Sequence, residues 1–157
     1  MRKVSVCLWF DGQAQEVMEF YTSVFKDSRV IALTKRGETV PGDPESVLAV
    51  VFEIAGQEIM ALNGGPEYTL SPAASLVVKC EDQDELDYYW DELCEGGQPV
   101  QCGWLTDKFG VSWQVVPALI EHWFTEGDQV KLDRMMQALL PMIKLDIETL
   151  RHAYEGE

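Results

Sequence analysis

The stretch Ser75-Leu-Val-Val-Lys-Cys-Glu-Asp-Gln-Asp-Glu-Leu-Asp-Tyr-Tyr-Trp90 decides the fold, because its rhythm occurs twice in the chain. Ser75 to Cys80 is short, apolar and rich in β-branched residues, as a strand requires. Asp82 is placed to cap a helix, with Glu85 three residues on. Leu86, Tyr89, Trp90, Leu93 and Cys94 then recur at helical spacing, and Gly96-Gly97 ends the run. Earlier, Ser5 through Tyr21 keeps the same order: a strand from Val4 to Phe10, a break at Asp11-Gly12 with Asp11 as N-cap, and a helical stripe of Ala14, Val17, Met18, Tyr21, Val24 and Phe25.

Each of these strand–helix pairs is followed by further strands. In the first half they are Arg29 to Thr34, Val47 to Ile54 and Gln57 to Asn63. The last two flank Ala55-Gly56, a hairpin connection, and a Gly- and Pro-containing loop spans Arg36 to Ser46. In the second half, Val100 to Thr106 and Val111 to Val116 form a hairpin around Asp107-Lys-Phe-Gly110, with Gly110 suited to the left-handed turn position. Two strand-rich units with one helix each give an α+β class. The last forty residues differ: helices are expected over Leu119 to Phe124, on a stripe from Leu132 to Leu140 ended by Pro141, and after Asp146 up to Gly156.

The chain has 157 residues, enough for one domain or two fused halves. Its 12 Lys+Arg against 27 Asp+Glu give a net charge of −15, which argues against nucleic acid and against anionic membrane surfaces. No apolar run approaches the roughly 20 residues of a membrane span, and Met1 to Phe10 lacks a secretory pattern, so a cytoplasmic protein is expected. Cys7, Cys80, Cys94 and Cys102 sit in apolar or periodic segments, where reduced buried thiols are the expectation.

Cys7-Leu-Trp-Phe-Asp-Gly12, Glu19-Phe-Tyr-Thr-Ser-Val-Phe25, Ala61-Leu-Asn-Gly-Gly-Pro66 and above all Cys102-Gly-Trp-Leu-Thr-Asp-Lys-Phe-Gly-Val-Ser-Trp-Gln-Val-Val-Pro117 resemble one family. It is the PhnB-like, 3-demethylubiquinone-9 3-methyltransferase-like branch of the glyoxalase/bleomycin-resistance, or vicinal-oxygen-chelate, superfamily. The resemblance implies paired βαβββ modules curled around a cavity, at approximately 1–66 and 73–117 of a domain over 1–117. A helical extension over 118–157 follows, and a homodimer is expected.

Metal-dependent members of that superfamily hold a divalent ion with His and Glu on the first, fourth, fifth and eighth strands. The resemblance puts Val6, Ala61, Ser75 and Gln114 at those positions. Only Gln114 offers a donor of any use there, so neither a metal nor another cofactor is expected. The two histidines, His122 and His152, lie beyond the second module. Strand alternation then brings Leu8 and Phe10 to the cavity with Val6, Ile59 and Asn63 with Ala61, Val77 with Ser75, and Ser112 with Gln114, while Trp104 borders it. Cys7, Trp9, Met60, Leu62, Val78, Trp113 and Val115 are expected beneath the helices. The result is an apolar bowl with a few neutral hydrogen-bonding groups, suited to a small, largely uncharged organic ligand. No catalytic set is legible. The enzymatic alternative would rest on Glu53 as a buried general base, on Gln114, or on a cavity thiol.

Overall fold

Both halves of the repeat fold as anticipated, and with the same topology. The computed structural model describes residues 3–157; Met1 and Arg2, and with them the basic start of the chain, lie outside the described residues. Contacts divide the chain into two units, Met1–Leu70 and Ser71–Glu157.

The first unit runs β1 (Val6–Phe10), α1 (Ala14–Val24), β2 (Ser28–Lys35), β3 (Val47–Ile54) and β4 (Gln57–Asn63). Its sheet has the order β1-β4-β3-β2, with β1 parallel to β4 and the other pairs antiparallel. The expected helical stripe is the buried one: Ala14, Val17, Met18, Tyr21 and Val24 all face the core. The β3–β4 turn takes two residues, Ala55 at φ 44° and Gly56 at φ 78°, the doubly positive geometry that suits the twist of a tight hairpin.

The start of α1 departs from expectation. Asp11 does not cap it; the residue before the helix is Gln13, whose side chain makes no capping bond. Asn63, at the far end of β4, does so instead: its Oδ1 accepts from the Ala14 N–H at 2.9 Å, and its Nδ2 donates to the Val47 carbonyl at 3.0 Å. One buried amide thereby ties helix, third strand and fourth strand together.

The second unit repeats the order as β5 (Ser75–Cys80), α2 (Gln83–Cys94), β6 (Gln98–Pro99), β7 (Trp104–Thr106) and β8 (Ser112–Pro117), with the sheet order β5-β8-β7-β6 and β5 parallel to β8. Asp82 caps α2 as read, accepting from the Glu85 N–H at 2.9 Å, while the Glu85 carboxylate takes the Glu81 N–H at 2.7 Å. Of the strand expected over Val100 to Thr106 only Trp104–Thr106, β7, forms, and it folds back onto β6, Gln98–Pro99, which precedes the expected start. The chain reverses between them through Cys102 (φ 64°) and Gly103 (φ 80°), whose N–H groups are drawn to the Met142 and Ile143 carbonyls at 2.7 and 2.8 Å.

Three C-terminal helices, α3 (Leu119–Glu126), α4 (Gln129–Leu139) and α5 (Ile147–Glu155), belong to this second unit. Gln83 of α2 binds the segment before α5 with both ends of its amide, accepting from the Ile147 N–H at 2.8 Å and donating to the Leu145 carbonyl at 3.2 Å. Trp123 stacks on Tyr154 with centroids 4.6 Å apart and planes at 15°. Asp146 caps α5 and Gly156, at φ 84°, closes it, both as read. No helix among the described residues is long and apolar enough to cross a membrane.

Candidate functional site

A four-stranded sheet with one covering helix has one packed face and one face turned away from that helix; the second is where a ligand can be met. In unit one the packed face carries Val6, Leu8 and Phe10 of β1, Ile59, Ala61 and Asn63 of β4, and Val50, Phe52 and Ile54 of β3, which are paired in register. Tyr21 of α1 lies against Phe52, with ring centroids 6.2 Å apart. Ile59, Ala61, Val50 and Phe52 are wholly buried. Strand alternation therefore runs opposite to the sequence-based assignment for this unit. Val6, Leu8, Phe10, Ile59, Ala61 and Asn63 line the helix-packed core, and the other face presents Cys7, Trp9, Met60 and Leu62, with Ala49, Val51, Glu53 and Glu58 beside them. The physical reason is that both faces of β1 and β4 are apolar, so the position of α1 decides which one is covered.

Trp9 is thus no core residue beneath the helix. Its indole lies over Gly64, where an added Cβ would sit 2.3 Å from the ring, and its Nε1 donates to the Gly65 carbonyl at 2.8 Å. Tyr68 meets it edge-on at 5.0 Å. Gly64 leaves the space that this ring occupies, and Gly65 takes the positive φ of 108° that follows it. Cys7, on the same face, has its thiol pushed above the ordinary range by partial desolvation, the opposite of what a reactive thiolate needs. Glu53 is on this face too, next to Glu58 on β4, and pairs with Arg29 of β2 through two contacts of 3.4 Å.

In unit two the alternation is as read. Ser75 and Val77 of β5, Ser112 and Gln114 of β8, and Trp104 of β7 share one face through their register, whereas Val78, Trp113 and Val115 are buried on the other. Gln114 Nε2 donates to Ser75 Oγ at 3.0 Å. Ser112 is buried, and its hydroxyl has no hydrogen-bond partner.

One residue that organises this unit was read only as part of a turn. Asp107 is 3 % exposed, and its carboxylate accepts three bonds: from the Phe109 N–H at 2.9 Å, the Val111 N–H at 3.0 Å and the Trp113 Nε1 at 2.9 Å. It fixes the β7–β8 turn and the buried Trp113 together, which explains why Asp107, Gly110 and Trp113 stand at this spacing. The signal that could have found it is an acid six residues before a tryptophan, at the head of a turn that also needs a left-handed Gly.

A cleft of about 300 Å³ lies in unit one at the start of α1, lined by Gly12, Gln15, Glu16, Glu19, Arg36, Ser46, Val47 and Asn63. Arg36 is engaged there by the Pro41 and Asn63 carbonyls at 3.3 and 3.1 Å. None of it was legible from motifs.

The residues do not fit the superfamily's metal. Of the positions aligned to its ligands, Val6 and Ala61 face the core, and Ser75 and Gln114 supply a hydroxyl and an amide. Among the described residues no group of three or more His, Cys, Asp or Glu side chains that could hold an ion comes together. His122 and His152 pair with Glu126 and Glu148 on their own helices, at 3.2 and 2.8 Å.

Comparison with known proteins follows the same lines. A family model described as 3-demethylubiquinone-9 3-methyltransferase matches residues 2–116. A putative 3-demethylubiquinone-9 3-methyltransferase, PhnB protein, of Bacillus cereus is 34 % identical, with 73 % of this chain and 99 % of that chain covered and a TM-score of 0.66. A Pseudomonas aeruginosa protein shares the fold at 20 % identity, with 74 % and 97 % covered and a TM-score of 0.63. So does the fosfomycin resistance protein FosX of Mesorhizobium loti, at 14 % identity, 79 % and 99 % coverage and a TM-score of 0.54. Comparison with curated proteins finds no match. Motif, topology and similarity converge: the chain belongs to the PhnB-like, 3-demethylubiquinone-9 3-methyltransferase family and has the glyoxalase/bleomycin-resistance fold.

Proposed function

We propose that this chain is a metal-free, homodimeric binding protein for a small, largely apolar organic ligand, taken up on the sheet faces turned away from α1 and α2. The observation that carries this reading is the character of those faces. In unit one the face carries Trp9, Met60 and Leu62, with Glu53 held by Arg29; in unit two Val77 and Trp104 stand with the neutral groups Ser75, Ser112 and Gln114. Apolar walls supply affinity and a few neutral donors and acceptors fix orientation, whereas a divalent ion needs imidazole, thiolate or several carboxylates.

The family's description names a methyl transfer, but the residues do not fit a nucleotide-type methyl donor. Such cofactors usually rest on a glycine-rich turn between a parallel strand and a helix. The strand-to-helix turns here are Asp11-Gly12-Gln13 and Glu81-Asp82, both acidic. The two Gly-Gly pairs serve packing: Gly64 seats Trp9, and a Cβ on Gly97 would strike the Thr106 carbonyl oxygen at 2.2 Å. An enzymatic reading on Glu53, Gln114 or a thiol gains no support from the ion-paired Glu53 or from the raised thiol of Cys7.

Native mass spectrometry tests the proposal. The protein is titrated with Zn(II), Ni(II), Mn(II) and Fe(II), then with a library of neutral organic compounds. A dimer that takes up organic compounds and no stoichiometric ion is the expected result. Tight one-to-one uptake of any of the four ions overturns it.

A further inference from the structure

The bond between Gln114 and Ser75 spans the parallel pair β5–β8 and spends one amide N–H and one hydroxyl lone pair. It leaves the Ser75 O–H, the second Gln114 N–H and the Gln114 Oε1 to hydrogen-bond outward. Beside Ser75 across the ladder, Ser112 is 3 % exposed and carries the unpartnered buried side-chain oxygen found among the described residues. Buried polar groups are ordinarily satisfied, so this hydroxyl marks a place where a hydrogen bond is owed. The set bears no formal charge. Lys79, the one ionised side chain in β5 and β8, is paired to Glu121 at 2.5 Å. Apolar surface stands next to it in Val77, which is 48 % exposed, and in Trp104, the ladder partner of Gln114.

We propose that Ser75 and Gln114, backed by Ser112, recognise a neutral head group that both donates and accepts a hydrogen bond, chemically a carboxamide, while Val77 and Trp104 receive the apolar body attached to it. This rests on the ligand-binding reading above. A carboxylate or ammonium head would lose its hydration here with no unpaired counter-charge in return, since Lys79 on this face is already paired with Glu121, and a purely apolar head would leave the outward donors and acceptor unpaired. An amide meets the side-chain amide of Gln114 with complementary N–H and C=O groups and leaves the Ser75 hydroxyl to complete the ring.

Four bicyclic aromatic probes of nearly equal shape separate the possibilities by isothermal titration calorimetry on the full chain: 1-naphthamide, 1-naphthoate, 1-naphthylmethylamine and 1-methylnaphthalene. The amide is expected to bind at least about tenfold more tightly than the other three. Ser75→Ala and Gln114→Leu should each bring it down to the level of 1-methylnaphthalene, whose own binding should not change. Gln114→Glu, which keeps the shape and adds a charge, should move the preference to the amine. Equal or tighter binding of either charged probe by the wild type overturns the proposal, as does an amide preference that survives both Ser75→Ala and Gln114→Leu. Binding of 1-methylnaphthalene with no amide preference removes the head-group assignment alone. Failure of all four probes removes the ligand-binding reading with it.

Discussion

Asp107 shows how much one residue can settle. Its two oxygens take two backbone N–H groups and an indole N–H inside the second unit, so replacing it strands buried donors as well as losing bonds. Each stranded donor costs roughly 1–3 kcal/mol, and Asp107→Ala is expected to lower unfolding free energy by about 3 kcal/mol or more in urea titrations. An effect below about 1 kcal/mol would mean that water replaces the carboxylate and that Asp107 does not organise the turn. The sequence marks Asp107 as a turn residue and Trp113 as buried. It does not show them bonded, because that depends on the turn bringing position 107 back over the indole. Asn63 carries the same lesson, since a helix cap supplied from 49 positions away leaves no local signature.

At the scale of elements, periodicity served helices better than strands. The stripe on α1 named its buried residues because a helix has one apolar face and polar ones besides. Strands β5 and β8 were equally legible, since Ser75, Lys79, Ser112 and Gln114 interrupt one face only. Strands β1 and β4 carry apolar side chains on both, so alternation alone left two equivalent choices, and a shift of one residue exchanges every side chain between them. Helix α5 yields a prediction in alkali. The Glu126 carboxylate accepts the Tyr154 hydroxyl's hydrogen bond, and this, followed by burial and nearby acids, pushes the phenol up to about 12 from its ordinary 10.0. Because the folded value is the higher one, the stabilisation is complete below pH 10 and is lost as pH rises towards 12. Tyr154→Phe should therefore flatten the decline of thermal stability over that window. An unchanged profile would show that the Glu126 contact contributes nothing to folding.

For the whole molecule, the C-terminal helices are built into the second unit. The Cys102 and Gly103 N–H groups, the Gln83 amide and the Trp123–Tyr154 stack all depend on them. Deleting residues 119–157 should strand the Cys102 and Gly103 N–H groups and the Gln83 amide and leave the second unit unfolded, read as a loss of near-ultraviolet circular dichroism and of a cooperative melt. A truncated chain with a native spectrum would instead make those helices a separable module. What the amino-acid order determined unaided was the local and the repeated: the approximate extents of most strands and helices, the doubled strand–helix rhythm, the Asp82 and Asp146 caps, the left-handed Gly110 and Gly156 and the family. These follow from backbone preference and spacing, which act over a few residues. Tertiary structure alone decided which face of the first sheet is buried, which distant side chain caps α1, where the chain breaks between β6 and β7, and which polar groups meet as Ser75 and Gln114 do. Those outcomes are contacts between segments far apart in the chain, and they exist only once packing has chosen one arrangement from several that local chemistry permits.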